Sequence, residues 1–255
     1  MSQLYPLKFT PIQQEKIWGG TLLNSVLHKQ PVSNSVGESW EVSAIEGFVS
    51  VVSNGAMKGK SLQDILDEYP KELLGQKVYK KYNKTFPLLI KFIDAREDLS
   101  VQLHPDDVLA QQRHNSLGKE EMWYIVQADK DSKLYLGFNQ ELNKATLLEH
   151  IQNKTLPGVL HQQPVTAGDV FHITPGLVHS IGGGILLAEI QQSSDVTYRL
   201  YDWDRTDDQG KSRTLHIEES LDAIDYDYHK SPKIPYEIVQ NRSKTLVDGD
   251  YFKTD

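Results

Sequence analysis

From Glu121 to Trp203 the chain is a succession of short apolar stretches, EMWYIVQ, KLYLGF, GDVFHI, VHSI, ILLAEIQQ and VTYRLYDW, most of them separated by glycine or proline turns. Stretches of this length and spacing predict strands. Many short strands in close succession, with helical pieces set to one side, point to a β-sandwich or barrel with helical additions. Upstream, ESWEVSA alternates Trp40 and Val42 against Glu41 and Ser43, and FVSVVSNG is β-branched and ends in an Asn-Gly turn. FPLLIKFID is almost continuously apolar, as expected of a buried strand, apart from Lys91 in its middle. Helical spacing marks residues 61–82, where Ser61 is a plausible N-cap and Leu62, Ile65 and Leu66 share a face. Two further helices are expected, over 106–112 and in NKATLLEHIQ. The opening segment reads as irregular, with KIWGG placing an aromatic anchor ahead of a turn. The tail YEIVQNRSKTLVDGDYFKTD predicts two strands around a turn, the second cut short at Asp255.

The stretch LSVQLHPDD sets a sharper problem. In an extended chain Ser100, Gln102 and His104 share one face while Leu99, Val101 and Leu103 share the other, and Pro105 stops the ladder. If the polar face points outward, nothing needs explaining. If it points into a sandwich or barrel, two ligand-capable groups are held side by side.

Charge and composition narrow the possible partners. An apolar fraction of 38% with no long uncharged run excludes a membrane-spanning helix and argues against disorder. Twenty-seven basic residues against 35 acidic ones give a net charge of −8, and no Lys/Arg cluster is long enough to track a phosphate backbone. Nucleic acid is therefore a poor candidate partner. A single phosphate on a small substrate needs only one or two well-placed cations. The start MSQLYPLKFTP lacks the basic and apolar regions of a secretory signal, so a cytoplasmic protein is expected. With no cysteine, any metal site must use histidine, carboxylate or amide ligands.

A catalytic zinc takes three such protein ligands and leaves a position open. His104, Glu121 and His179 meet that description, each starting or ending a predicted strand, where the mouth of a barrel would gather them. Composition alone gives this little weight against a structural role. For His28, His114, His150, His161, His172, His216 and His229 the structural reading is adopted.

The segments IWGG, GESWEVS, FPLLIKFIDAREDLSVQLHPDD, GKEEMWYIV and GDVFHITPGLVHSIGGGILLAEIQQSSDVTYRLYDWDR carry a resemblance. Together they span most of the chain from Lys16 to about Arg205, and they are similar to the class I mannose-6-phosphate isomerases of the short bacterial type, zinc enzymes of the cupin superfamily. The resemblance implies a mainly β cupin fold, a jelly-roll β-barrel with helical insertions and a truncated second β lobe. It divides the chain into a zinc-binding cupin domain over residues 1–235, with its helical insertion near 61–82, and the start of a C-terminal lobe over 236–255. It implies one zinc ion per chain held by His104, Glu121, His179 and Gln102, and catalytic roles for Arg199, Lys91 and Lys119. Lys91, desolvated in its strand, is expected to have a depressed pKa and to carry the proton. Lys119 is expected to contact phosphate, and Glu189 and Asp195 to orient the arginine or the sugar hydroxyls. The implied reaction interconverts mannose 6-phosphate and fructose 6-phosphate through an enediol. The alternatives are a non-catalytic sugar-binding cupin, a truncated inactive isomerase, and a metal-dependent cupin oxygenase. The oxygenase is disfavoured because Gln102 replaces its first histidine and Glu121 lies far downstream of His104. Oligomeric state is left open.

Overall fold

Period-two alternation organises this chain into two antiparallel sheets that pack face to face. The computed structural model describes residues 4–206, 209–227, 231–238 and 241–255; His229 lies outside them. The first sheet contains six strands: β1 (Ile12–Gly20), β2 (Val36–Val42), β3 (Leu88–Ala95), β5 (Glu121–Ala128), β8 (Val170–Ile173) and β10 (Ile185–Gln192). Their order is β8-β5-β10-β3-β1-β2, with β2 also paired to β3. The second contains β4 (Val101–Leu103), β6 (Lys133–Phe138), β7 (Leu160–Pro164), β9 (His179–Ile181) and β11 (Tyr198–Tyr201), ordered β7-β6-β9-β4-β11. The expected mainly β architecture is thus built as two facing sheets.

Between the sheets lies an apolar core in which Ile93, Trp123, Phe171 and Leu187 of the first meet Leu134, Leu136 and Ile181 of the second. The outer face of the second sheet carries Val101, Leu103, Tyr135 and Leu200. It is covered by helices α4 (Lys144–Gln152) and α5 (Ile217–Ala223), which contribute Leu147 and Leu221. That cover decides the direction of LSVQLHPDD. Val101 and Leu103 are fully buried against helices, so Ser100, Gln102 and His104 must face the space between the sheets.

Helices α1 (Leu62–Glu68) and α2 (Pro70–Tyr82) occupy the stretch where helical spacing was expected. Ser61 caps α1 through a capping box with Asp64, and α2 breaks at Gly75, whose φ of 76° no helix accommodates. Helix α3 (Asp107–His114) begins two residues beyond Pro105 and is capped by Asp106, which accepts from Leu109 N at 2.8 Å. Because α4 lies far from the polar face, Leu147→Ala is expected to cost about 2–5 kcal/mol of stability. A urea midpoint shifted downward with unchanged activity under folding conditions checks it.

One expectation fails at the start of the chain. Residues 12–20 form a nine-residue strand, and KIWGG lies within it instead of making a turn. The glycines serve close approach: a Cβ on Gly19 would sit 2.2 Å from Ser35 O, and one on Gly37 would sit 2.5 Å from the Trp18 ring. Helix α5 also has no counterpart in the sequence reading. At the other end, a hairpin of Val247–Asp248 and Lys253–Thr254 sets Val247 and Phe252 against Met122 and Val170, on the outer face of the first sheet.

Candidate metal centre and cleft

Register brings the polar residues into two facing rows. In the second sheet His179 pairs with Gln102 and Gln102 pairs with Arg199, so three adjacent strands present these side chains to one face. In the first sheet Glu189 on β10 stands opposite Lys91 on one side and Trp123 on the other, and Gln191 stands opposite Glu121. The Trp123 and His179 rings meet edge to face across the gap, with centroids 5.3 Å apart.

At the closed end of this space His104, Glu121 and His179 each direct a ligand atom inward, all within 4.8 Å of one another. All three residues are 1% exposed. Each histidine has its tautomer fixed from behind: His104 Nδ1–H donates to Val196 O and His179 Nδ1–H donates to Leu177 O, both at 2.9 Å. The Nε2 lone pairs are therefore the free ends. His104 Nε2 lies 3.2 Å from Glu121 Oε1 but without hydrogen-bond geometry, and His104 Nε2 and Glu121 Oε2 are buried with no hydrogen-bond partner.

The electrostatics agree with this picture. Burial, with the Lys119 ammonium adding repulsion, pushes His104 down to about 3, and burial likewise lowers His179. Burial acts to raise the Glu121 carboxyl, but it is held well below the usual range by any proton on the facing His104 and by the Lys119 ammonium, whose Nζ is 3.3 Å away. Within this coupled pair a proton on His104 would favour the carboxylate, yet the cost of burying an imidazolium prevails. Two neutral imidazoles and one carboxylate, buried and lacking hydrogens to share, are a donor set that fits a divalent cation. Gln102 stands beside them with its Nε2 3.5 Å from His179 Nε2. A half-turn of its amide would present an oxygen instead.

From this centre a cleft of about 350 Å³ opens between the sheets, lined by Lys91, Lys119, Glu189, Asp195 and Arg199 among others. Lys91 Nζ and Glu189 Oε2 form an ion pair at 2.7 Å, with side chains 8% and 3% exposed. Trp123 Nε1 donates to Glu189 Oε1 at 2.7 Å. The expected depression of the Lys91 pKa is reversed: burial does lower it, but Glu189, Glu38 and Glu121 together raise it above its ordinary value. Glu189 is raised by burial and by repulsion from Glu121, against the pull of Lys91. Arg199 half-emerges into the cleft, donating from its guanidinium to Thr214 O at 2.9 Å and Ser100 Oγ at 3.4 Å. Asp195 is exposed at the rim.

Several lining residues carried no role in the sequence reading. Glu38 accepts from Trp40 Nε1 at 2.7 Å and lies 3.7 Å from Lys16. Arg213 enters from a loop, bonded to Asp202. GESWE holds the one usable signal, since Glu38 and Trp40 share a face at period two; Arg213 sits in irregular chain and has none. Of the remaining histidines, His172 Nε2 pairs with Glu120 Oε1 at 2.9 Å, His114 with the Tyr198 hydroxyl, and His216 Nδ1 accepts from Arg199 N.

Known proteins resemble this chain over most of its length. The family model described as phosphomannose isomerase type I, catalytic domain, matches residues 6–152. The mannose-6-phosphate isomerase of Streptococcus mutans is 42% identical over 219 residues, covering 86% of this chain and 67% of that protein. The mannose-6-phosphate isomerase ManA of Bacillus subtilis is 40% identical over 97% of this chain and 77% of its own length. The crystal structure of the mannose 6-phosphate isomerase from Bacillus subtilis superposes with a TM-score of 0.86 at 34% identity, covering 97% of this chain and 78% of that one.

Proposed function

Because the chain belongs to the type I phosphomannose isomerase family, we propose that it interconverts mannose 6-phosphate and fructose 6-phosphate, with one zinc ion held by His104, Glu121 and His179 and approached by Gln102. The observation that carries the zinc assignment is the pair of buried Nε2 lone pairs aimed at an equally buried carboxylate. A zinc ion there would supply Lewis acidity toward the sugar's carbonyl and hydroxyl oxygens.

The chain's own groups account for the rest. Converting an aldose to a ketose moves a proton from C2 to C1 through an enediol, while a hydroxyl proton passes from O2 to O1. The Lys91–Glu189 pair is suited to this traffic: Glu189 Oε2, a carboxylate with a raised pKa, takes the proton from C2 and delivers it to C1, and Lys91 Nζ, held charged, steadies the carboxylate between the two transfers. Trp123 fixes Glu189 from the other side. Arg199 remains cationic at any working pH and lies on the opposite sheet, so it stabilises the negative charge that develops on oxygen. Lys119 is assigned to the phosphate and Asp195 to sugar hydroxyls at the rim. No helix among the described residues is long and apolar enough to cross a membrane; as a member of a family of sugar-phosphate isomerases, the chain is proposed to work in the cytoplasm.

A coupled assay of mannose 6-phosphate conversion tests the reading. Activity is expected to fall to background with a chelator and return on adding zinc. Stoichiometric zinc without conversion would replace the isomerase with a sugar-binding cupin.

A further inference from the structure

The segment EIQQSSD contributes Glu189 and Asp195 to the cleft, while Gln191 between them has no part in the chemistry above. We propose that Gln191 is a positioning residue for the metal centre, folding the 192–196 turn so that the Val196 carbonyl holds His104 in its ligating tautomer. The proposal rests on the metal-site reading and concerns how this chain builds it.

Gln191 is fully buried and stands in register with Glu121, on the face that looks into the gap. Its Nε2 donates to Gln192 O at 3.0 Å and to Ser194 O at 2.8 Å. Ser194 Oγ accepts from Val196 N at 3.3 Å, and Val196 O accepts from His104 Nδ1 at 2.9 Å. Three hydrogen bonds thus run in sequence from the amide, through the turn, to the back of the imidazole. Residues 193–197 belong to no strand or helix, and the backbone bonds from Ser193 N to Pro87 O and from Ser194 N to Gln192 O, both 2.8 Å, stop short of Val196. The side-chain amide adds a further tether at Ser194 O. Gln191 Oε1 is buried without a hydrogen-bond partner, so what the residue contributes it contributes through its donor end. A histidine whose Nδ1–H is pinned to a carbonyl offers Nε2 alone to a metal, and loosening such a contact weakens the site.

Gln191→Met keeps the length and removes the donor. Zinc affinity by competition with a chelator is expected to fall about 10–100-fold, and the visible absorption bands of the cobalt-substituted protein are expected to change. Unchanged affinity and bands, even in a protein less stable without metal, would show a merely structural glutamine and overturn the proposal. If Gln191→Met does not fold, Ser194→Ala removes the next tether of the same turn. A smaller loss of affinity in the same direction supports the proposal, and none overturns it. A parent protein that takes up no metal would instead defeat the metal-site reading itself.

Discussion

His104→Ala is expected to purify without stoichiometric zinc and to lose turnover by more than about 100-fold, the upper range for disturbing a ligand's supporting contact alone. The size follows from how little the site has to spare. Three donor atoms share one buried space, and removing one leaves two, with the Glu121 carboxylate opposite a void. Because Lys119 lies 3.3 Å from Glu121, the carboxylate has a cation to turn toward, so folding should survive where metal binding does not. Metal analysis beside the coupled assay reads both. A variant that retains one equivalent of zinc would mean the ion is held elsewhere, and the assignment of His104, Glu121 and His179 would fall with it.

Arg199→Ala separates binding of the ion from chemistry. It is expected to keep zinc and lose about 10²–10³ in kcat, the range found when one preorganised donor to a developing oxyanion is removed. The residue stands next to Gln102 in register but directs its guanidinium to Thr214 O and Ser100 Oγ, not to a metal ligand. Arg199→Lys should recover part of the loss, since charge returns without the planar fork. Loss of zinc in Arg199→Ala, or an unchanged kcat, would remove the arginine from the mechanism.

Much of this centre could be seen in the sequence because alternation is local. Ser100, Gln102 and His104 oppose Val101 and Leu103 within one strand, and a polar face opposite two leucine-class residues can point inward only when helices cover the other side. Glu121 and His179 open strands, as strand-boundary turns on either side indicate. What escaped depends on partners distant in the chain. The Lys91 pKa was misjudged because burial is a property of its own strand, whereas Glu189, which reverses the shift, arrives from β10 nearly a hundred residues later. The strand at 12–20 was missed for a different reason. Two adjacent glycines ordinarily mark a turn, but here Gly19 lets the backbone of β1 approach Ser35 closely and Gly20 leaves room for the Asp94 carboxylate, contacts no local pattern announces. Helix α5 is short, and its helicity comes from packing Leu221 onto the second sheet rather than from periodicity.

The lining of the cleft also governs how fast a ligand finds it. Lys16, Lys91, Lys119, Arg199 and Arg213 face Glu38, Glu121, Glu189 and Asp195, so cations slightly outnumber anions there, while the whole chain carries −8. A doubly charged sugar phosphate, the substrate proposed above, would be repelled by most of the surface and drawn in at this opening. Low-dielectric walls on both sides concentrate the field lines along the approach. Encounters with such a ligand would thus be guided, and the guidance would weaken as added salt shortens the distance over which the ligand senses the cleft, to about 8 Å at physiological ionic strength.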